Sequence, residues 1–370
     1  MQIAAGLVGL PNVGKSTLFN ALTRSSVPAE NYPFCTIAPH TALTVVPDPR
    51  IAALQKAYGS TKTIPSSMKF VDIAGLVKGA ASGEGLGNQF LSHIREVNLI
   101  VHVVRCFEDP TIVRSDEINP IADLAIITTE LMLKDLETVT KRQEKILASL
   151  KSARHGSPQE RVLLEKEQAI LDRALGILND EDLACLRELA HDNSFLEPLL
   201  LSTKKYIIAA NCGEQDYNAE SIAQNVHVQA LRAIHGEDRV IPLCARLEHE
   251  LSLLAPDEAA DMLALFGITS LGIESLIRIA YRELGLITFF TCGPKEIHAW
   301  PILRGTKVRA AAGEIHSDLE KGFICSDVWT AHDVLSMGSE SKLRGEGKIR
   351  TEGQDYVVQD GDILSIKFNV

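Results

Sequence analysis

Gly9-Leu10-Pro11-Asn12-Val13-Gly14-Lys15-Ser16 sets two glycines, a lysine and a hydroxyl in the spacing Gly-x-x-x-x-Gly-Lys-Ser. That set of residues suits a polyphosphate. Glycine lets backbone N–H groups curl around an anion with no Cβ in the way. A helix opening at the lysine adds its unpaired donors and dipole. Lys15 is then expected to reach the β- and γ-phosphates, and the Ser16 hydroxyl to ligate Mg²⁺. A chance glycine turn is the alternative. The apolar run Ile3–Val8 before the loop and the helical stretch Thr17–Thr23 after it supply the strand–loop–helix order that separates the two readings.

A carboxylate belongs beside such a loop. Lys69-Phe70-Val71-Asp72-Ile73-Ala74-Gly75 is an apolar strand ending in Asp-x-x-Gly, with Asp72 placed to hold Mg²⁺ through its water shell. Gly75 would bring its N–H to the γ-phosphate. Gly75 to Gly87 contains Gly75, Gly79, Gly83, Gly85 and Gly87, a density expected of a segment that a ligand orders. Thr36, after Tyr32-Pro33-Phe34-Cys35, is the expected second hydroxyl ligand of the metal; Thr41 and Thr44 are the alternatives. Leu76 stands where Ras-like switches carry the glutamine that orients water, and leucine has no polar group for that task. Cys35, next to Thr36, reads as an inert thiol, with redox sensitivity of nucleotide closure as the alternative.

Tyr206–Ala210 leads into Asn211-Cys212-Gly213-Glu214, where GTP switches carry Asn-Lys-x-Asp. The longer Glu214 carboxylate would crowd guanine. Asn211 and the Cys212 backbone could instead satisfy the amino donor and ring-nitrogen acceptor of adenine. An unmatched buried polar group costs about 1–3 kcal/mol, enough to set base preference, so ATP is expected over GTP. The alternative is that Asn211 only caps a loop.

These residues need elements to hold them. The apolar runs Ile3–Val8, Leu43–Val46, Lys69–Val71, Leu99–Val104, Tyr206–Ala210 and Val240–Cys244 alternate with helical stretches, which predicts a parallel sheet covered on both faces. Between 121 and 205 the period changes. Met132, Leu136, Val139, Ile146 and Leu150, then Leu164, Leu171, Ala174 and Leu178, predict an antiparallel coiled-coil hairpin breaking at His155-Gly156-Ser157-Pro158. Its tip, Lys141 to Arg161, carries six basic residues against Glu144 and Glu160, a candidate phosphate-backbone contact or a solvated face. From about 285 onward short strands predict a β-rich domain, with Gln359-Asp360-Gly361-Asp362 as the turn before Ile363–Phe368. The expected units are 1–120 with 206–284, the inserted arm 121–205, and 285–370.

Composition bounds the rest. The chain has 370 residues, 45% of them apolar, and a net charge of −11. That excludes whole-chain disorder and a basic nucleic-acid coat. Seven widely spaced cysteines without a Cys-x-x-Cys pair fit reduced thiols in a cytoplasmic protein. No apolar stretch is long enough for a membrane span, and Ile3–Leu10 reads as a buried strand.

Gly9–Thr17, Asp72-Ile73-Ala74-Gly75-Leu76-Val77, Gly83–Asn88, His102–Glu108 and Asn211-x-x-Glu214 together resemble the Obg-like ATPase family, YchF type. Gly313–Asp318 and Phe368-Asn369-Val370 are similar to its TGS domain. The resemblance covers essentially the whole chain. It implies a TRAFAC-class P-loop α/β domain, an inserted coiled-coil arm and a C-terminal β-grasp TGS domain. It also implies ATP hydrolysis with Mg²⁺, association with ribosomes and a role in stress responses; the basic tip and the appended domain make the large or the small subunit, or both, the expected partner of a slow switch regulating translation or stress response, with rRNA contacted through the arm tip Lys141–Arg161 and the TGS domain. No DNA or membrane partner is implied. Carried over by position, ATP falls on Asn12, Val13, Gly14, Lys15, Ser16, Thr17 and Cys212, and Mg²⁺ on Ser16 and Thr36.

One motif departs from the family. A loop histidine implicated in hydrolysis is replaced by Ile112-Val113-Arg114, leaving Arg114 as an electrostatic substitute or an inert surface residue. His93 and His102 read as structural. Competing functions are a GTPase, a small-molecule kinase, for which no acceptor-site cluster is visible, and a non-catalytic coiled-coil scaffold.

Overall fold

Continuous apolar runs become interior strands, and their burial shows it. The structure is a computed structural model describing residues 3–24, 40–73, 86–108, 118–152, 157–268 and 271–369. Its strands are β1 (Ala4–Val8), β2 (Thr41–Val45), β3 (Lys62–Ile64), β4 (Ser67–Asp72), β5 (Leu99–Arg105), β6 (Lys205–Asn211), β7 (Val240–Leu243), β8 (Leu286–Cys292), β9 (Glu296–Leu303), β10 (Phe323–Thr330), β11 (Arg350–Glu352) and β12 (Asp362–Phe368).

The first sheet has the order β2-β4-β1-β5-β6-β7. β1 and β5 are buried along their whole length, as a strand covered on both faces must be. All pairings from β4 to β7 are parallel, but β2 runs antiparallel to β4, with Thr41 opposite Val71 and Val45 opposite Ser67. The fully parallel sheet expected from the apolar runs is corrected at this edge. The chain between β2 and β4 does not cross over the sheet face, so antiparallel return is available to it.

That intervening chain goes elsewhere. Helix α1 is Lys15–Arg24, and helix α2 is Pro49–Tyr58. Asp48 caps α2, accepting from Arg50 N–H at 2.9 Å, and Pro49 stands at its first position. Leu54 of α2 is fully buried with Phe290, Ile297, Trp329 and Ile363. Tyr58 accepts from Trp329 Nε1 at 3.1 Å. β3 pairs in parallel with β9, completing a second sheet of order β11-β10-β12-β8-β9-β3. Residues 49–64 are thus built into the C-terminal layer, although sequence placed them with the nucleotide-binding unit. In the same layer, Tyr356–Val358 forms no strand; Val357 makes only an isolated bridge to Lys307. β12 pairs instead with β10 and β8.

Helix α3 is Leu86–Glu96, followed by the arm: α4 (Pro120–Ser152), α5 (Pro158–Asn179) and α6 (Leu183–Asp192). Met132, Val139 and Ile146 of α4 bury against Leu171, Ala174 and Leu178 of α5, the positions given by the apolar period. α6 adds Leu186 and Leu189 to that core, so the arm root is a three-helix packing.

Candidate functional site

The phosphate loop follows β1, which lies between β4 and β5, the kind of position where open α/β sheets place ligands. Its glycines are sterically required. A Cβ on Gly9 would stand 2.7 Å from the Val103 carbonyl oxygen, and one on Gly14 would stand 2.2 Å from Asn211 Nδ2. Gly14 also has φ +90°, a region that side chains rarely tolerate. Helix α1 starts at Lys15, with Leu18 N–H donating to Gly14 O at 3.0 Å. The hydroxyl of Ser16 is on an exposed residue of its first turn.

Lys15 Nζ forms an ion pair with Asp72 Oδ1, and both side chains are mostly buried. The two motifs that sequence assigned to phosphate and metal therefore meet. Asp72 is fixed from behind: its N–H donates to His40 O at 2.8 Å, and the next N–H, of Ile73, donates to Leu7 O at 3.2 Å. Thr36, Gly75, Leu76, Arg114 and Cys35 lie outside the described residues. Of the alternatives to Thr36, Thr44 is fully buried and donates to Leu22 O at 3.3 Å, which occupies it in the fold. Thr41 lies in the β2–β4 ladder.

A cleft of about 600 Å³ joins the phosphate loop to the loop Asn211–Glu214. Asn12, Gly14 and Thr17 line it, with Phe107, Cys212, Glu214 and Arg246. Asn211 is buried, donating from Nδ2 to Val13 O at 2.9 Å and accepting on Oδ1 from Ala245 N–H at 2.9 Å. One amide hydrogen of Asn211 remains for a ring nitrogen. The Cys212 N–H is spent on Leu243 O at 2.7 Å, which leaves its carbonyl as the backbone group Cys212 can offer. Burial pushes the Cys212 and Cys244 thiols up to about 12 and about 11, which keeps both neutral.

Glu214 begins a single 3-10 turn ending at Asp216. Its Oε1 lies 3.0 Å from Arg246 Nε, an ionic contact without an aligned hydrogen bond. Phe107 is steadied by Arg105, whose Nε donates to Phe107 O at 2.9 Å and whose guanidinium lies 5.0 Å from the ring centroid. Phe107 was read only as part of the motif His102–Glu108, with no role of its own, and Ala245 and Arg246 were not singled out by sequence. Their signal was position, since they follow the C-terminal ends of β5 and β7, which flank β6.

The arm tip is less basic than its local count. Glu137 pairs with Lys141, Glu167 with Arg142 at 2.7 Å, and Glu165 with Arg161 at 2.8 Å. Lys145 and Lys151 are exposed and make no ion pair among the described residues. Arg154 lies outside them. No helix among the described residues is long and apolar enough to cross a membrane.

Residues 4–148 match the MMR_HSR1 family, described as a 50S ribosome-binding GTPase. Residues 286–369 match the YchF-GTPase_C family, described as a protein of unknown function (DUF933). The chain is 41% identical to the ribosome-binding ATPase YchF of Escherichia coli O157:H7 and 40% identical to that of Bacillus subtilis, each over the full length of both chains. It is 42% identical to Obg-like ATPase 1 of Oryza sativa subsp. japonica, covering all of this chain and 93% of that one. The solved structure of the Schizosaccharomyces pombe YchF GTPase superposes with a TM-score of 0.85 at 35% identity, covering 99% of this chain and 98% of that chain.

Proposed function

The chain belongs to the family of the ribosome-binding ATPase YchF and Obg-like ATPase 1, and on that footing we propose that it is a slow ATP-hydrolysing switch acting on the ribosome in the cytoplasm, where it regulates translation. One observation carries this reading: a single cleft has the Lys15–Asp72 pair near its phosphate loop and Asn211, Cys212 and Glu214 in its wall.

The loop N–H groups of Asn12 to Ser16 and the Lys15 ammonium hold the β- and γ-phosphates. Asn211 donates its remaining amide hydrogen to a ring nitrogen of adenine, and the Cys212 carbonyl accepts from the exocyclic amino group. Guanine carries a carbonyl where adenine carries that amino group, so two acceptors would face each other and GTP is disfavoured. Phe107 offers a ring face to the base.

Ser16, Thr36 and Asp72 are hard oxygen donors suited to Mg²⁺, with Asp72 acting through water. When bound, Mg²⁺ supplies positive charge to the β- and γ-phosphate oxygens. Leu76 cannot orient water, and this keeps intrinsic hydrolysis slow. Arg114 or a group from the ribosome completes that task.

We assign ribosome contact to the arm and the TGS domain. At about 1.5 Å per residue, the 33 residues of α4 carry the arm tip roughly 50 Å along the helix axis. The exposed Lys145 and Lys151 then meet rRNA phosphates. The nucleotide-binding unit comprises 1–120 and 206–284, the arm 121–205 and the TGS unit 285–370, with residues 49–64 bridging the first and last.

Calorimetry with non-hydrolysable ATP and GTP analogues, with and without ribosomes, tests the assignment. ATP should bind more tightly; tighter GTP binding rejects the base-reading scheme in favour of a GTPase. Lys145→Glu with Lys151→Glu should weaken co-sedimentation with ribosomes, and unchanged binding at low salt rejects the arm-tip contact.

A further inference from the structure

A second cavity, lined by apolar side chains together with Arg187, Lys204 and two histidines, lies at the root of the arm, between β5, β6, α4, α6 and the helix Val226–His235, and it shares no lining residue with the nucleotide cleft. We propose that it binds a small tetrahedral oxyanion of the inorganic-phosphate class. Its volume is about 90 Å³. The space is small beside the about 600 Å³ nucleotide cleft and is of a size for a small ion.

The strongest pointer is His102 on β5. Its side chain is buried and lines this cavity; Nδ1 itself is closed to solvent and has no hydrogen-bond partner among the described residues. Burial, then the positive neighbours His235 and Arg187, hold His102 down at about 3.

The surroundings are cationic. Arg187 of α6 lies 4.8 Å from the Tyr206 ring centroid and Arg239 lies 5.3 Å from it. Two guanidiniums share one aromatic ring, and neither has a carboxylate within ion-pair distance among the described residues. Tyr206 Oη and His235 Nδ1 are 3.0 Å apart, which fixes that imidazole at the rim. Lys204 spends two donors on the carbonyls of Arg95 and Val97, leaving its charge beside the cavity. Thr128 of α4 adds a hydroxyl to the lining.

The nearby carboxylate, Asp135, is not among the residues lining the cavity and makes no ion pair with Arg187 or Arg239 among the described residues. Asp135 is saturated by Leu201 N–H at 2.6 Å, Ser202 N–H at 2.8 Å and the Ser202 hydroxyl at 2.6 Å. Burial pushes it up to about 6, against those three donors. An oxyanion can accept from Arg187, Thr128 and the His235 imidazole together, and its charge offsets the Arg187 guanidinium. Water can fill the same volume but offsets none of that charge.

The experiment follows the imidazole resonances of His102 and His235, assigned with His102→Gln and His235→Gln, while inorganic phosphate is added to the full chain. A saturable shift of both is expected in wild type, in Lys15→Ala and in protein saturated with Mg²⁺ and an ATP analogue. Arg187→Gln should weaken it about tenfold, the loss of one charge-assisted contact. If phosphate leaves both resonances in place, or chloride at equal ionic strength moves them as far, the proposal is overturned. A shift lost in Lys15→Ala but kept in Arg187→Gln also overturns it, because the ion then sits in the phosphate loop. The wild-type titration decides even where Arg187→Gln fails to fold. The proposal stands whether or not the ATP reading holds.

Discussion

Asn211 Nδ2 donates to the carbonyl oxygen of Val13 at 2.9 Å, tying the end of β6 to the middle of the phosphate loop. The same amide accepts from Ala245 N–H at 2.9 Å. One side chain thus clamps three segments of the cleft wall, and Gly14 must lack a Cβ to let it pass. Truncation to Asn211→Ala leaves the Val13 carbonyl and the Ala245 N–H unpaired, at a cost of about 1–3 kcal/mol each at most. The phosphate loop loosens, so ATP and GTP affinity should fall together, by about tenfold or more. Calorimetry on the variant checks this. A change confined to one nucleotide would mean that Asn211 acts only on the base.

Arg246 stands 3.0 Å from Glu214 and 3.3 Å from Glu250. The first contact diverts the carboxylate at the position where GTP switches read guanine. Released from Arg246, the longer carboxylate crowds guanine, so Arg246→Ala should lower the GTP-to-ATP affinity ratio. Because Arg246 is largely exposed, the change should be a few-fold, in keeping with the about 0–1 kcal/mol of surface pairs. Adding Glu214→Ala should abolish that fall. A ratio indifferent to Arg246 would place Glu214 outside base discrimination.

Strand-forming runs and the arm's apolar period were legible because buried faces impose them: Val139, Ile146, Leu171 and Leu178 occupy the core their spacing required. The phosphate loop was legible because Gly9 and Gly14 tolerate no side chain. What sequence hid was partnership. Thr61 to Ile64 carries no apolar run, and β3 exists because β9 presents an edge to it. The ion pairs of Lys141, Arg142 and Arg161 with Glu137, Glu167 and Glu165 depend on helical and inter-helical neighbours. Arg246 gains meaning only when β7 ends beside β6.

The junction between the two sheets should be stiff. Arg50 bonds Asp48 and reaches Asp360 Oδ2 at 2.8 Å, while Leu54 is wholly buried among residues of the C-terminal layer. Leu54→Ala should cost about 2–5 kcal/mol, as buried leucines do. The Trp329 fluorescence transition should move to lower urea, since Trp329 shares that core. Arg50→Ala, at a half-exposed pair, should move it far less. Equal, small effects would show that α2 only rests on the C-terminal layer.

Glu248 gives the clearest pH signature. Its carboxyl is buried and accepts from Tyr217 Oη at 2.9 Å, Gly272 N–H at 2.9 Å and Ile273 N–H at 2.7 Å, capping the helix Gly272–Glu283. Burial pushes it up to about 7, against the hydrogen bonds from Ile273, Tyr217 and Gly272. An unfolded glutamate titrates near about 4.3. Between those values the folded chain holds a proton that the unfolded chain has lost. The stability due to this group is therefore complete below about 4.3 and declines as pH rises through about 7, by at most about 1.4 kcal/mol per unit. Glu248→Gln cannot titrate and lacks one acceptor. Its deficit against wild type should be largest near pH 5 and shrink toward pH 8, read by urea denaturation at both. Tyr217 directly follows the Glu214–Asp216 turn, so the variant should also bind ATP more weakly at every pH. A deficit of constant size would mean that Glu248 is already ionised at pH 5 in the folded chain.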